Sequence, residues 1–522
     1  MPDGRAGAPG QRGGMTPRPV GRLRLLIAVC LAFVSGRAAT AAQSPSSPPL
    51  YLVVPFENTT GEPRVYWLSE ASAVVLADNL AALGVSSIRR EDRLGAFERL
   101  RLPPPTPLSH ATVIRIGQVV GAAYVVVGAF ELQGDDLTVR ARTIRLDTGR
   151  ISPELVERGP LTDMLSVYGH MARRIVPESA VSTEQLALGY PSLPAFEQYI
   201  KGLLAEAPET RIAFLTQALR VSPTFHRAYL ALWEVHTDQG SHQEALDAVR
   251  QVPADDPLAR QARFLVGVSM LHLGQLQASF AEFSALNSVR RDAALLNNIG
   301  VVQLRRPPGA PGGKAATFFG DAASVDGSDP DLFFNVGYAH WLDRDAQGAI
   351  HWLREAVRRN PADDVAHYVL GVALQASGNS VEATREKELA RRLSSTYAEW
   401  EAKQGGDAVP RGLERLKLDI DMPASLRVDA ALGAAGQRDQ RAIATFHLES
   451  GRRLFQEGRD EEAIAELRRT IFLAPYESDA HLLLGRIYLR TGRRQDAIDA
   501  LTIAAWSDPA NAEAKQLLDS VR

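Results

Sequence analysis

A phosphate-binding loop needs a glycine, four residues, then Gly-Lys-Ser/Thr, all following a buried strand. Residues 309–317 come nearest, with Gly313 and Lys314 in place. Pro308 stands at the first glycine, however, and Ala315 at the hydroxyl. With helical patterning on both sides, the stretch reads as a turn. Neighbouring carboxylates occur at Asp135 and Asp136 and at Asp255 and Asp256, both in turns, where solvated charge is the ordinary role. The eleven histidines show no His-Glu-x-x-His pair and no metal-ligand cluster. His340 and His351 fall on different helices of one repeat. No Gly-x-Ser-x-Gly elbow appears. Asn58, Thr59 and Thr60 match a glycosylation tripeptide that is common by chance. The single cysteine, Cys30, lies in an N-terminal apolar run. If that run is removed, thiol nucleophiles, disulfides and cysteine zinc sites go with it. The chain is therefore not expected to be an enzyme, and no metal or cofactor is expected.

At 522 residues the chain is too long for one core and should hold two to four domains. The formal net charge is -3, which steers it neither to nucleic acid nor to an anionic membrane. Arg18, Arg22 and Arg24 precede an apolar run at 25–34, and small residues follow at 38–42. This is the order of a secretory signal, expected at 1–42 with cleavage after Ala41 or Ala42. Met15 is an alternative start. The run has ten residues, where a spanning helix needs about 20; an uncleaved anchor is the alternative. Val29 is bulkier than a lipid-attachment site before Cys30 usually tolerates. Residues 43–49, rich in Ser and Pro, read as a linker. No later stretch is apolar enough to span a membrane. The expected location is the periplasm or cell envelope.

Residues 50–176 read as a small α/β (α+β) domain. A strand at 50–56 ends in the turn 57–61. A helix follows at 67–83, then a second strand at 85–88 and a Pro-rich loop at 103–107. Ser109 caps a helix to Val120, and three β runs at 122–132, 137–146 and 151–156 are joined by hairpin turns. A helix at 161–176 closes the domain. The words Val53-Val-Pro-Phe-Glu-Asn58 and Ala123-Tyr-Val-Val-Val-Gly-Ala-Phe130 resemble those of the N-terminal domain of TolB and its curli-secretion relatives. That resemblance implies a binding and assembly module without chemistry of its own.

Beyond residue 190 a spacing recurs. Gly337, Ala349 and Pro361 stand 12 apart, as do Gly451, Ala463 and Pro475, and again Gly485, Ala497 and Pro509. Gly371 and Ala383 keep the phase, while Ser395 takes the Pro slot. The period is 34, the tetratricopeptide signature. Glycine and alanine allow two helices close approach, and proline stops the second helix. The expected architecture is the α/β domain followed by an all-α solenoid, a right-handed superhelix of helix-turn-helix repeats. It comprises an array at 190–397 of about five repeats plus an irregular first helix pair, and two repeats plus a capping helix at 442–522. Residues 398–441 break the phase, as either a linker or an aberrant repeat.

Resemblance to tetratricopeptide proteins implies that the first helix of each pair lines a concave groove. Its candidate positions are Phe264, Asn297, Phe334, Tyr338, Trp341 and Tyr368, then Arg452, Arg486 and Arg490. Aromatic anchors in its middle would hold a protein or peptide partner. The arginines would favour an acidic segment. The competing readings are aromatics packed between repeats and arginines on a solvated face. The expected function is an exported scaffold that binds a partner in the groove and docks another through the first domain. The alternative is a sensor in which the first domain binds a small molecule and the repeats relay it.

Overall fold

The continuous apolar runs at 50–54 and 124–127 put apolar side chains on both faces of a sheet, so each face must receive helices. The computed structural model describes residues 49–100, 108, 110–394, 397–403, 408–421, 444–474 and 476–521. The expected signal at 1–42, the linker up to residue 48, the Pro-rich loop at 103–107, Ser109, Ser395, Pro475 and all of 422–441 lie outside them. The strands are β1 (Leu50–Val53), β2 (Glu57–Asn58), β3 (Ser86–Ser87), β4 (Tyr124–Gln133), β5 (Asp136–Arg145) and β6 (Leu155–Pro160). Their order is β3-β1-β4-β5-β6, with β2 beside β4. β1 pairs in parallel with β3 and β4, while β4, β5 and β6 form an antiparallel meander.

Helices α1 (Trp67–Ala82), α2 (Arg90–Arg99), α3 (His110–Val119) and α4 (Met164–Ile175) cover the sheet. Val53, Val126, Phe130 and Val139 pack with Leu76, Tyr168 and Met171 of α1 and α4. Leu52, Val125 and Ile144 pack with Phe97, Val113 and Ile116 of α2 and α3 on the other face. The α2 helix has no counterpart in the sequence reading. Its arginines hide its amphipathicity, because Arg93 is buried. Arg93 and Arg90 converge on buried Glu70 of α1, with Arg90 Nε 2.9 Å from Glu70 Oε1. Arg90 also donates to the Leu203 carbonyl at 2.8 Å, tying the sheet domain to the next helices.

The solenoid follows as paired helices. After α5 (Thr183–Leu188), which packs on α4, they are α6 (Leu193–Leu204), α7 (Pro208–Val221), α8 (His226–Asp238), α9 (His242–Val249), α10 (Ala259–His272) and α11 (Leu276–Val289). The run continues with α12 (Ala293–Arg305), α13 (Ala315–Val325), α14 (Pro330–Leu342), α15 (Ala346–Arg359), α16 (Asp364–Ala376) and α17 (Ser380–Leu393). A short α18 (Ala398–Glu401) ends it. The last block holds α19 at 444–456, α20 (Asp460–Leu473), α21 (Ser478–Arg490), α22 (Arg494–Ser507) and α23 (Ala512–Val521). The small α/β domain followed by a helical repeat solenoid is thus the architecture of the chain.

The repeat residues do what close packing asks of them. A Cβ on Gly337 would lie 2.7 Å from Leu353, and one on Gly485 2.6 Å from Leu501. Gly371 and Gly451 meet Lys387 and Leu467 in the same way. Ala349, Ala383, Ala463 and Ala497 are fully buried. Pro361 and Pro509 each stand two residues past a helix end. Turns inside the repeats place Gly378 at φ 83, and one period earlier Arg344 holds the same left-handed slot at φ 62. A side chain is disfavoured there. Arg344→Gly is expected to raise the midpoint of urea unfolding, by about 0.5–1 kcal/mol of stability. A lowered midpoint would contradict the strain.

The last block returns to the first domain. Tyr476 is buried close to Glu70, Arg90 and Tyr66, and burial, with Glu70 and Glu206 adding, raises its hydroxyl pKa. The Trp506 ring lies tilted against Tyr476, centroids 5.3 Å apart, and beneath the Lys201 ammonium.

Candidate functional site: a groove with an extended strap

Aspartate is a preferred helix N-cap because its carboxylate accepts the free N–H groups of the first turn. Three successive first helices start this way. Asp292 caps α12 through Ala294 N at 2.7 Å, Asp329 caps α14 through Asp331 N at 3.0 Å, and Asp363 caps α16 through Ala366 N at 2.9 Å. Each stands eight residues before its repeat glycine, Gly300, Gly337 or Gly371. Repetition of the cap therefore builds a row of carboxylates along one edge of the solenoid.

Residues 408–421 run past this row as a strap with neither α-helix nor strand. The strap travels backwards along the repeats. Tyr368 of α16 donates to the Ala408 carbonyl at 3.2 Å, and Tyr338 of α14 to the Pro410 carbonyl at 2.8 Å. Asp421 N finally reaches Asp292 Oδ2 at 2.9 Å, at the head of α12. Between these points two asparagines hold the main chain on both sides. Asn335 accepts from Arg415 N and donates to Arg415 O, both at 2.7 Å. Asn298 accepts from Lys417 N at 2.9 Å and donates to Lys417 O at 2.8 Å. Asn297 adds a donor to Arg415 O at 2.8 Å, and Asn335 donates to Asn297 Oδ1. All three asparagines are fully buried. Buried amides of this kind must be satisfied, and the strap satisfies them.

The strap's side chains match the row of charges. Arg415 pairs with Asp363 at 2.6 Å and Asp331 at 2.7 Å, and its guanidinium lies 3.9 Å over the Phe334 ring. Lys417 Nζ stands 2.7 Å from both Asp329 and Asp331. Burial alone would raise the Asp331 pKa, but the Lys417 and Arg415 cations outweigh it and hold it at about 2. Glu414 takes Arg305 at 2.6 Å, and Asp421 takes Arg260 at 2.9 Å. Asp419 faces Arg89 of the first domain at 3.3 Å. Leu413, Leu416 and Ile420 pack on the repeat core.

The residues singled out in the sequence separate into three groups. Asn297, Phe334, Tyr338 and Tyr368 meet the strap. Phe264 is buried against Phe283, ring centroids 5.5 Å apart, and Trp341 packs partly buried on the same core. Arg452 pairs with Asp479, Arg486 with Glu513 and Arg490 with Asp460. The last two also flank the Phe455 ring, at 5.1 and 4.7 Å. Sequence reasoning missed Asn298, Asn335 and the capping aspartates. Asn298 and Asn335 occupy one slot, two residues before a repeat glycine, where other repeats carry Leu265 or Val369. That polar exception in a buried slot was the available signal.

Residues 309–314 of the stretch form a turn between α12 and α13, held by Gln303 donating to the Gly313 carbonyl at 2.7 Å, and 315–317 begin α13. His340 faces Asp345 at 2.9 Å and His351 stands edge-on to Trp352. Among the described residues no three His, Cys, Asp or Glu side chains are grouped to hold a metal ion. No described helix is long and apolar enough to cross a membrane.

His367 of α16 is buried, with Nδ1 2.6 Å from Glu386 and Nε2 3.0 Å from the Pro361 carbonyl. Burial alone would lower its pKa. The bonds to Glu386 and Pro361 outweigh that and raise it above the ordinary 6.5. Its stabilising contribution is complete below 6.5 and is lost as pH rises through the higher folded value. The gap in Tm between wild type and His367→Gln is expected to be larger at about pH 5.5 than at about pH 8.5. A gap that widens with pH would contradict the assignment.

The tetratricopeptide-repeat family pattern matches residues 230–295 and 448–514. No curated protein matches the chain in sequence. Among solved structures, MamA from Desulfovibrio magneticus RS-1 aligns at 16% identity over 33% of this chain and 97% of its own, with a TM-score of 0.28. PilF of Pseudomonas aeruginosa aligns at 16% identity over 38% and 90%, with a TM-score of 0.32. YrrB, described as a TPR protein with an unusual peptide-binding site, aligns at 15% identity over 39% and 88%, with a TM-score of 0.24. Values this low carry no functional weight. With the family pattern in two separate stretches and the paired helices built on Gly337, Gly371, Gly451 and Gly485, the chain carries tetratricopeptide repeats.

Proposed function

We propose that the protein is an exported, non-enzymatic scaffold whose repeat groove holds an extended peptide segment by its main chain. The observation that carries this reading is the pair of asparagine brackets. Asn335 and Asn298 each take both the N–H and the C=O of one residue, Arg415 and Lys417. Such a bracket ignores side-chain identity and selects extended backbone, which is what a peptide receptor needs before specificity is added by pockets. The first domain serves as a second docking module. That part rests on its TolB-like words at 53–58 and 123–130. Export rests on the basic, apolar and small-residue succession at 18–42, and N-terminal sequencing of the mature protein tests it.

The groove reading is tested by selecting from a displayed library of random extended peptides. The selection uses the full chain carrying Arg415→Glu and Lys417→Glu to free the groove. Binders that depend on Asn298 and Asn335 are expected. A folded, freed chain that selects no such binder would refute the reading.

A further inference from the structure

We propose that residues 408–421 are an exchangeable resident of the groove, and that the outside partner is an extended peptide with cationic side chains two residues apart. The inference rests on the groove reading above and adds the partner's charge and the regulation of access.

The carboxylates set the charge that a partner must carry. Asp329 and Asp363 are fixed by their capping bonds to α14 and α16, so neither can turn away when the strap leaves. Asp331 stands with them. In the closed state Arg415 pairs with Asp331 and Asp363, and Lys417 with Asp329 and Asp331. An empty groove would strip Asp331 and Asp363 of the Arg415 and Lys417 cations beside them, a costly arrangement in a half-buried site. Whatever replaces the strap must therefore bring cations at the same spacing. The asparagine brackets demand nothing further of sequence. Phe334, beneath Arg415 at 3.9 Å, favours a guanidinium at the first position.

Tethering makes the strap a strong competitor, because an attached segment acts at an effective concentration in the millimolar range. A partner sees the groove only in the fraction of molecules whose strap is out, and its apparent affinity falls by that fraction. The device keeps the groove closed until a segment of matching charge arrives at high local concentration.

The test measures fluorescence anisotropy of a labelled peptide that copies residues 408–421, titrated with full-length chain. Two variants are compared with wild type, Arg415→Glu with Lys417→Glu, and the milder Arg415→Gln with Lys417→Gln, each checked for fold by circular dichroism. The folded variants are expected to bind the peptide about 100-fold more tightly than wild type does. A peptide carrying glutamate at both cationic positions is expected not to bind. Folded variants that bind no tighter than wild type, or that take the glutamate peptide equally well, would overturn the proposal. If both variants unfold, the strap is a permanent part of the fold and the proposal fails. A folded variant that takes the glutamate peptide alone leaves the groove reading standing while this inference falls. One that takes neither this peptide nor any from the library removes both.

Discussion

Glu70→Ala is expected to lower stability by about 3–5 kcal/mol, because it leaves two guanidiniums buried without their counter-ion. Glu70 lies in α1 with Arg90 and Arg93 of α2 against it. Burial alone would raise the Glu70 pKa, and the Arg93 and Arg90 charges outweigh it and lower it. Arg90 reaches on to the Leu203 carbonyl, and Arg93 to the Val53 carbonyl at 3.3 Å. The triad therefore links the sheet, its covering helices and the start of the solenoid. A urea melt reads the loss. The triple replacement Glu70→Leu, Arg90→Met and Arg93→Met should recover much of it, since removing all the charges removes the desolvation problem as well. A loss below about 1 kcal/mol for Glu70→Ala would place the triad among weak surface pairs.

The second large effect concerns the strap. Asn298→Ala combined with Asn335→Ala removes four main-chain hydrogen bonds to Arg415 and Lys417. At about 1 kcal/mol net for each bond, the strap should open more easily by about 2–4 kcal/mol. Trypsin reports this directly, because it cuts after arginine and lysine. Cleavage after Arg415 and Lys417 tracks the open population and is expected to accelerate by about 30- to 1,000-fold. Fragments are identified by mass. Unchanged cleavage at those two sites, with the fold intact, would mean the amides do not hold the strap.

Much of the fold was legible because it is local. A glycine every 34 residues, an alanine 12 later and a proline 12 beyond that describe a helix pair whose contacts lie within one repeat. The contact from Gly337 to Leu353 spans 16 positions, and so does that from Gly485 to Leu501. The β-type run at 122–132 and the turn at Gly134 likewise announced a strand and its hairpin. The α2 helix was not legible, because its inward side chains include Arg90 and Arg93, whose partner Glu70 lies on another element. At the groove, Asn297, Phe334, Tyr338 and Tyr368 were found from their distance to the repeat glycines. The period reports which face a residue occupies, and nothing about what covers that face. Gly405, Pro410 and Pro423 argued against one long helix over 398–441 and left linker and aberrant repeat both open. Its destination is set by bonds between residues 118 and 119 apart in sequence, which no local pattern encodes. Phe264 shows the converse limit, since a groove position and a core position can share the same helical phase.

Residue-resolved amide exchange of Arg415 and Lys417 in the wild-type chain tests the central claim most directly. With Asn335 and Asn298 accepting from these two N–H groups, both amides should exchange at least about 100-fold more slowly than an unstructured chain, through a local opening that leaves α12 and α14 protected. Exchange of both at unprotected rates would show that the groove does not hold the strap.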